Sequence, residues 1–377
     1  MARTTRLRPH AKTRHEATRL ENRRLVLQTI FDGGPISRAD LARATDLGKA
    51  TISDITGVLL GEGLVVEVGR GTSTGGKPPT LIELDPDGRF AVAVDLSRRP
   101  FDAALLNLRG RIVAKRRGKA VRPMGREAVH EVHQLISDLV AATGAAPLGI
   151  GVAVPGAVSA DGAVVESVQI GWADLSLRDE LEDVYGIPSY VASDTEAAAV
   201  AEFGRGKSDP DADLLYIKID ERITAAVVTG GEIHRATNRG GDMTHIQVQD
   251  ASGICACGMT GCLGIVANVE AVLGPDFVDL SSDARKGLAA ETTPEVGKAA
   301  RAVGEALAPA VAVLDVERIV LGGAVSELRA VSNLVAESID RMLGWCPDVV
   351  VSGLGDSAAV LGAGGMVLSG ELGVVWA

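Results

Sequence analysis

The 377-residue sequence predicts an α/β body preceded by a small winged helix-turn-helix head. Three observations carry this. Residues 1–80 hold 13 Lys and Arg against 8 Asp and Glu, a net of +5, whereas residues 81–377 hold 25 against 41, a net of −16. Residues 20–65 show helical periodicity in three short runs, followed by two strand-like runs about a Gly-rich turn. From about residue 88 the texture changes to short apolar runs that alternate with longer helical stretches. An acidic body of this size excludes broad nucleic-acid binding, and a small basic head does not.

In chain order, residues 1–19 are polar, Arg-rich and without period, and are expected to form a disordered basic arm. The head is expected over 20–85. Leu27, Ile30 and Phe31 lie at i, i+3 and i+4 and end at Gly33–Gly34. Ser37 and Asp40 form a capping arrangement that opens a helix with Leu41 and Ala44 inward. "TDLG" is a tight turn. The next helix, about 49–62, puts Ile52, Ile55 and Leu59 on one face. Its other face shows Lys49, Thr51, Ser53 and Asp54, short polar groups suited to base edges.

"LVVEVGRG" and "TLIELD" then read as a two-stranded wing whose tip carries Arg70, Gly75, Gly76 and Lys77. Glycine permits close backbone approach, and Arg and Lys suit phosphate or a narrow minor groove. The candidate DNA contacts are Arg38 to a phosphate, Lys49, Ala50, Thr51 and Ser53 to bases, and Arg70, Gly76 and Lys77 from the wing. A three-helix interaction domain with a surface hairpin would present the same periods.

The body, expected over 86–377, contains strand-like runs such as "FAVAVDLS", "LGIGVAVPGAV", "LLYIKID" and "RIVLGGAV", with helical stretches near 125–142, 194–204 and 295–314. No uncharged apolar run reaches the roughly 18 residues a membrane helix needs. The Arg-rich start has no apolar segment behind it, so a cytoplasmic protein is expected. "GICACGMTGCLG" holds Cys255, Cys257 and Cys262, three of four cysteines in the chain. Thiolates at C-x-C-x4-C spacing can wrap one Zn²⁺, with Gly258 and Gly261 turning the loop. Small buried cysteines are the plainer alternative, and Cys346 reads as a core residue.

Together these motifs resemble the ROK family of repressors, open reading frames and sugar kinases, over nearly the whole chain. The head motif "GPISRADLARATDLGKATIS" with "GGKPP" resembles the winged head of ROK repressors. In the body, "GIGVAVPGAV", "ASDTEAAAVAEFGRG", "GGDMTH", "CACGMTGC" and "IVLGGAV" follow the family order. The resemblance implies a two-lobed, actin-like (ribonuclease H-like, sugar-kinase-type) ATPase fold, commonly dimeric or tetrameric. It supplies His245 as the fourth metal ligand, giving a closed structural zinc site in the loop 242–264.

It also implies a kinase aspartate at Asp194 and a sugar cleft that keeps Gly156, Asp194 and His245, with Asp242 standing for the family glutamate. Ser193, Thr244 and Gly264 depart from the family pattern. So do both phosphate loops. The first is "DLSRRP" from Asp95, with Ser97 for a glycine, and the second is "DERIT", Asp220 to Thr224. Without bare backbone to cradle phosphates, kinase activity is expected to be lost. Ser193 and Glu196 form a capping box that explains Asp194 without catalysis.

The expected function is a DNA-binding transcriptional regulator of repressor type that binds a double-stranded operator as a homo-oligomer. A sugar or sugar derivative would act in the degenerate cleft, an acidic or phosphorylated one being drawn by Arg98, Arg99 or Arg222. The rivals are a sugar kinase with an appended DNA-binding domain, and a regulator that needs no effector.

Overall fold

A computed structural model describes residues 11–72, 78–120, 122–143, 146–205, 213–235, 240–249, 251–274, 293–328 and 330–374. The chain forms two compact units. One comprises residues 1–90, 107–111 and 368–376, and the other comprises 91–106, 112–367 and residue 377.

In the first unit, α1 (Ala11–Gly33), β1 (Ile36–Ser37), α2 (Arg38–Thr45), α3 (Lys49–Gly61), β2 (Val65–Arg70) and β3 (Thr80–Leu84) follow in order. The sheet order is β1-β3-β2. Val26, Leu27, Ile30, Phe31, Leu41, Ile52, Leu59, Ile82 and Leu84 form its buried core. The helical start at Ala11 corrects the disorder expected through residue 19. Ala, Lys, Arg and Glu dominate 11–19, lose little side-chain freedom in a helix, and run without a breaker into the next turn.

Ser37 caps α2 as expected, accepting from the Asp40 amide at 3.2 Å. Leu41 is buried as expected, but Thr45 rather than Ala44 is its buried companion. The Thr45 hydroxyl donates to the Leu41 carbonyl at 2.7 Å, so a polar residue occupies the inward i+4 position without an unmet donor. Two distant segments complete this unit. The Leu108 amide donates to the Pro86 carbonyl at 2.9 Å, and the Arg109 guanidinium stacks 4.9 Å from the centre of the Phe31 ring. Sequence periodicity gave no sign of these long-range additions.

The second unit contains β4 (Phe90–Asp95), β5 (Asp102–Asn107), β6 (Ile112–Arg117), α4 (Gly125–Thr143), β7 (Gly149–Val154), β8 (Ala157–Val158), β9 (Val164–Ser167), β10 (Trp172–Leu175), α5 (Leu177–Tyr185), β11 (Ser189–Ser193) and α6 (Asp194–Arg205). It continues with β12 (Leu214–Ile219), β13 (Ile223–Thr229), β14 (Glu232–Ile233), α7 (Gly264–Ala267), α8 (Val269–Leu273), α9 (Pro294–Leu314), β15 (Arg318–Gly322), α10 (Val331–Leu343), β16 (Asp348–Val351) and α11 (Ala358–Leu372).

Two five-stranded sheets have the orders β11-β7-β4-β5-β6 and β14-β13-β12-β15-β16. Counted from its own first strand, each reads 5-4-1-2-3. The same α/β plan is therefore used twice, the doubled arrangement of the actin-like fold. The parallel strands β4 and β7 are almost wholly buried and apolar apart from Asp95 at the end of β4, as strands covered on both faces must be.

Helix α11 is apolar around most of its girth and buried for most of its length, so glycines let neighbours approach. A Cβ on Gly362 would lie 1.6 Å from the Ala197 carbonyl oxygen of α6, and one on Gly151 of β7 would lie 1.9 Å from that of Ala363. Apolar side chains of α7, α8, α9 and α10 pack on one sheet through Ala267, Val269, Val303, Leu307, Val335 and Ile339. Among the described residues, no helix is long and apolar enough to cross a membrane.

Candidate nucleic-acid interface, metal centre and cleft

The turn between α2 and α3 is made by Asp46 in the left-handed conformation, φ 55°, and Gly48 caps α3 without a side-chain bond. Of the expected base contacts, Lys49, Ala50 and Ser53 are exposed and Thr51 is half-buried. The buried face of α3 is Ile52, Thr56 and Leu59, with Ile55 only half-buried. Arg70 is exposed at the end of β2. Gly76 and Lys77 lie outside the described residues.

Arg38, expected to meet a phosphate, is braced within the head. Its Nε donates to Thr56 Oγ1 at 3.1 Å and its Nη2 to Glu67 Oε1 at 3.0 Å, so one edge of the guanidinium ties α2 to α3 and the wing. The Thr56 hydroxyl in turn donates to the Ile52 carbonyl at 2.8 Å. A buried threonine on a helix face has no periodic signature, so the sequence did not reveal this brace.

The expected metal ligands converge. His245, Cys255, Cys257 and Cys262 each bring one ligand atom to within 4.8 Å of the others. Cys255 Sγ lies 3.4 Å from His245 Nδ1, and Cys257 Sγ lies 3.6 Å from Cys262 Sγ. Those are close to the edges of a tetrahedron with metal–sulfur bonds of about 2.3 Å and metal–nitrogen bonds of about 2.0 Å. The loop closes through Cys255 N to the Met259 carbonyl and Gly258 N to the Cys255 carbonyl, both 2.8 Å. Gly258 and Gly261 take φ of 87° and 82°, a region that favours glycine. Burial pushes the Cys262 thiol up to about 12, and the neighbouring cysteines push the same way. Three thiolates here need a compensating dication, so the donor set fits a metal.

Gly156, Asp194 and Asp242 line one cavity of about 140 Å³. His245, also expected there, is not among the lining residues; its Nδ1 faces Cys255 in the metal cluster. Gly156 must be glycine, because a Cβ would meet the Glu166 carbonyl oxygen at 2.3 Å. Ser193 and Glu196 form the expected capping box: Glu196 N donates to Ser193 Oγ at 3.1 Å, and Ser193 N donates to Glu196 Oε2 at 2.9 Å.

The cleft carries its own counter-charges. The half-buried Lys218 ammonium donates to Asp194 Oδ2 and stands 3.8 Å from Asp220 Oδ2. Burial alone would lower the Lys218 pKa, but the charges of Asp194 and Asp220 outweigh it and raise it. Arg222 pairs with Asp242. Burial works to raise the Asp242 carboxyl, yet its Thr244 hydrogen bond and the Arg222 charge hold it below the usual range. Glu221 meets Arg99 at 3.5 Å and accepts from Gln169 Nε2 at 2.8 Å, while Arg98 is bidentate to Asp356 at 2.7 Å.

Both phosphate loops are therefore filled by side chains. Ser97 donates its hydroxyl and amide to Asp95 Oδ1, at 2.7 and 2.8 Å, where a bare loop would face a nucleotide. Lys218 is the cleft residue that sequence reasoning missed. Its signal was present, since "LLYIKI" puts one lysine in an apolar strand.

Asp95 offers a test. It is 1% exposed, its Oδ2 finds no partner among the described residues, and burial pushes its pKa from 3.8 up to about 6. Its neutral form favours the fold. That contribution is complete below about pH 3.8 and disappears as pH rises through about 6. Asp95→Asn should therefore be more stable than the parent at pH 8, by about 3 kcal/mol at most, and no more stable near pH 4. Urea unfolding at both pH values checks this, and an equal difference at both would refute the assigned charge cost.

Similarity to known proteins agrees with this geometry. A family model described as "ROK family" matches residues 91–369. A xylose repressor of Caldicellulosiruptor bescii is 30% identical over 268 residues, 69% of this chain and 66% of that protein, just under two thirds of its length. The DNA-binding transcriptional dual regulator NagC of Escherichia coli K12 is 25% identical over 332 residues, 81% of each chain.

Among solved structures, a ROK family transcriptional regulator homologous to the E. coli MLC protein superposes with a TM-score of 0.77, covering 94% of this chain and 96% of that one at 23% identity. A ROK glucokinase from Streptomyces griseus reaches 0.61 over 73% of this chain and 98% of its own, at 22% identity. With three quarters of its length matched by the family model, and the family's cysteine loop folded around a four-donor cluster, the chain belongs to the ROK family.

Proposed function

We propose that the protein is a sequence-specific transcriptional regulator that binds an operator through its winged head and no longer phosphorylates sugars. The observation that carries this is the pairing of a polar, exposed α3 face with a cleft whose phosphate loops are occupied by internal ion pairs. A kinase needs backbone amides open to a triphosphate and a free general base. Here Asp194 is held by Lys218, and Asp220 and Glu221 would repel the nucleotide. The relatives named as repressors support the same reading.

In this reading α3 enters the major groove with Ala50, Thr51 and Ser53 toward base edges and Lys49, at its first turn, toward a phosphate rather than the base first expected, while Arg70 and the wing, including Gly76 and Lys77, follow the backbone. Two heads of a homo-oligomer, a dimer or tetramer, would read an inverted repeat. The metal is a structural zinc held by His245, Cys255, Cys257 and Cys262. Four protein ligands leave no open position for a catalytic water. The cleft takes a sugar or sugar derivative, which would compete with Lys218 and Arg222 for Asp194 and Asp242. Such a ligand alters operator affinity only by favouring one state of the oligomer.

The test is selection of random duplexes on the full protein, then titration of the selected duplex with sugars, sugar phosphates and sugar acids at fixed salt. A palindromic site whose affinity shifts with one compound is the expected result. In parallel, ATP turnover on a hexose panel should not exceed the buffer rate. Turnover that Asp194→Asn abolishes would overturn the non-enzymatic reading.

A further inference from the structure

Lys49 and Asp54 are the two charged residues of α3, and both are exposed. Lys49 at the helix start suits a phosphate. Asp54 does not. It lies on the stripe formed with Ala50, Ser53, Gly57 and Val58, all exposed and spaced at i, i+3, i+4, i+7 and i+8 from Ala50. The stripe is small and shallow: a methyl group, a hydroxyl, a glycine with nothing within 4 Å of its would-be Cβ, and a branched apolar side chain. Such a surface lets the helix axis approach the floor of a groove, and it carries Asp54 there too.

Several other acidic side chains of the head are answered from within it: Asp40 by Ser37 and Arg43, Glu62 by Arg23, and Glu67 by Arg38. No hydrogen bond or ion pair of the Asp54 carboxylate occurs among the described residues, so it is available to an external donor. A carboxylate inserted between phosphate strands is repelled unless a donor meets it. The major-groove edge of a base pair presents an amino group from cytosine N4 or adenine N6, and an acceptor-only side chain is complementary to cytosine N4, whereas adenine's neighbouring N7 acceptor repels it.

Resting on the proposed operator-binding function, we infer that Asp54 is a specificity-determining residue that reads a cytosine in each operator half-site. It contributes little to overall affinity and rejects other bases at that position. Asparagine at the same place would present a donor beside its acceptor, the complement of adenine N6 and N7.

Selection of random duplexes is run in parallel on the full-length parent and on Asp54→Asn, followed by titration of single-base variants of the selected site. The parent should select C·G at one position of each half-site, losing about 5- to 150-fold when that pair is changed. Asp54→Asn should keep every other position while shifting this one toward A·T or losing the preference. Unchanged melting behaviour of the variant would show that the fold is intact, as an exposed residue predicts. The same motif from both proteins, with only a uniform gain in affinity for the variant, would overturn the inference and leave Asp54 a repulsive surface charge. A parent that selects no motif at all would instead sink the proposed function, and this inference with it.

Discussion

Replacing Cys257 with serine should release the metal and lower the stability of the body. Serine keeps the volume but offers no thiolate, and a tetrahedral site with three remaining ligands binds zinc far more weakly. The proposed ion would do more than close a loop. Cys262 and Leu263 are fully buried, and Leu263 packs in the core beneath α9 and β12, while Met243 enters the same core at the other end of the loop. Thr244 is hydrogen-bonded to Ile223 on β13, at 3.1 Å from the Ile223 amide. Two residues earlier Asp242 faces the cleft and holds Arg222.

Losing the metal would leave the buried Cys262 and half-buried Cys255 sulfurs without a charge partner and free a segment that orders one cleft wall. In small zinc modules the ion contributes on the order of 10 kcal/mol to folding. Here the surrounding core keeps most of its packing, so a loss of several kcal/mol is expected, equivalent to roughly 5–10 °C in Tm. Metal analysis should find one zinc per parent chain and none in Cys257→Ser. Full metal content in the variant would refute the ligand set.

Lys49→Glu should weaken operator binding by about tenfold or more per head, for every sequence alike. Lys49 is exposed at the first turn of α3, beside a Gly48 cap that leaves the opening amides unmatched by a side chain. Amides and ammonium together form an anion site, and reversing the charge replaces a phosphate contact with repulsion. The salt dependence should become shallower by about one unit per head. The fold should be untouched, because an acid at a helix start is electrostatically favourable. Titration at several salt concentrations checks this. A change confined to one base pair, with an unchanged salt slope, would show that Lys49 reads a base instead.

Much of this was legible in the sequence, for identifiable reasons. Leu27, Ile30 and Phe31 announced a helix because burial at period 3.6 is a strong pattern, and Ser37 and Ser193 announced helix starts because capping is local. The cysteine spacing announced a metal loop because few other uses place three thiols so close. The misses are tertiary. Arg38 could not be assigned to Thr56 and Glu67, nor Arg109 to Phe31, since such partners depend on where distant segments meet. The disorder expected for residues 11–19 failed because low hydrophobicity masked good helix propensity. His245 was expected to serve both metal and cleft, and one imidazole turned toward Cys255 lies outside the lining of the cavity.

The Lys218–Asp194 and Arg222–Asp242 pairs have a further consequence for the threshold at which the protein would respond. A ligand entering that cavity meets carboxylates already satisfied by tethered cations at very high local concentration. Its apparent affinity is reduced by the small fraction of time those pairs stand open. Under the proposed cleft-binding reading, these pairs would act as a built-in antagonist and set a high operating point, at which scarce ligand would leave the chain silent and only abundance would move it. Each pair is also an adjustable resistor, since weakening one by a single substitution would lower that operating point without altering either the operator surface or the metal loop.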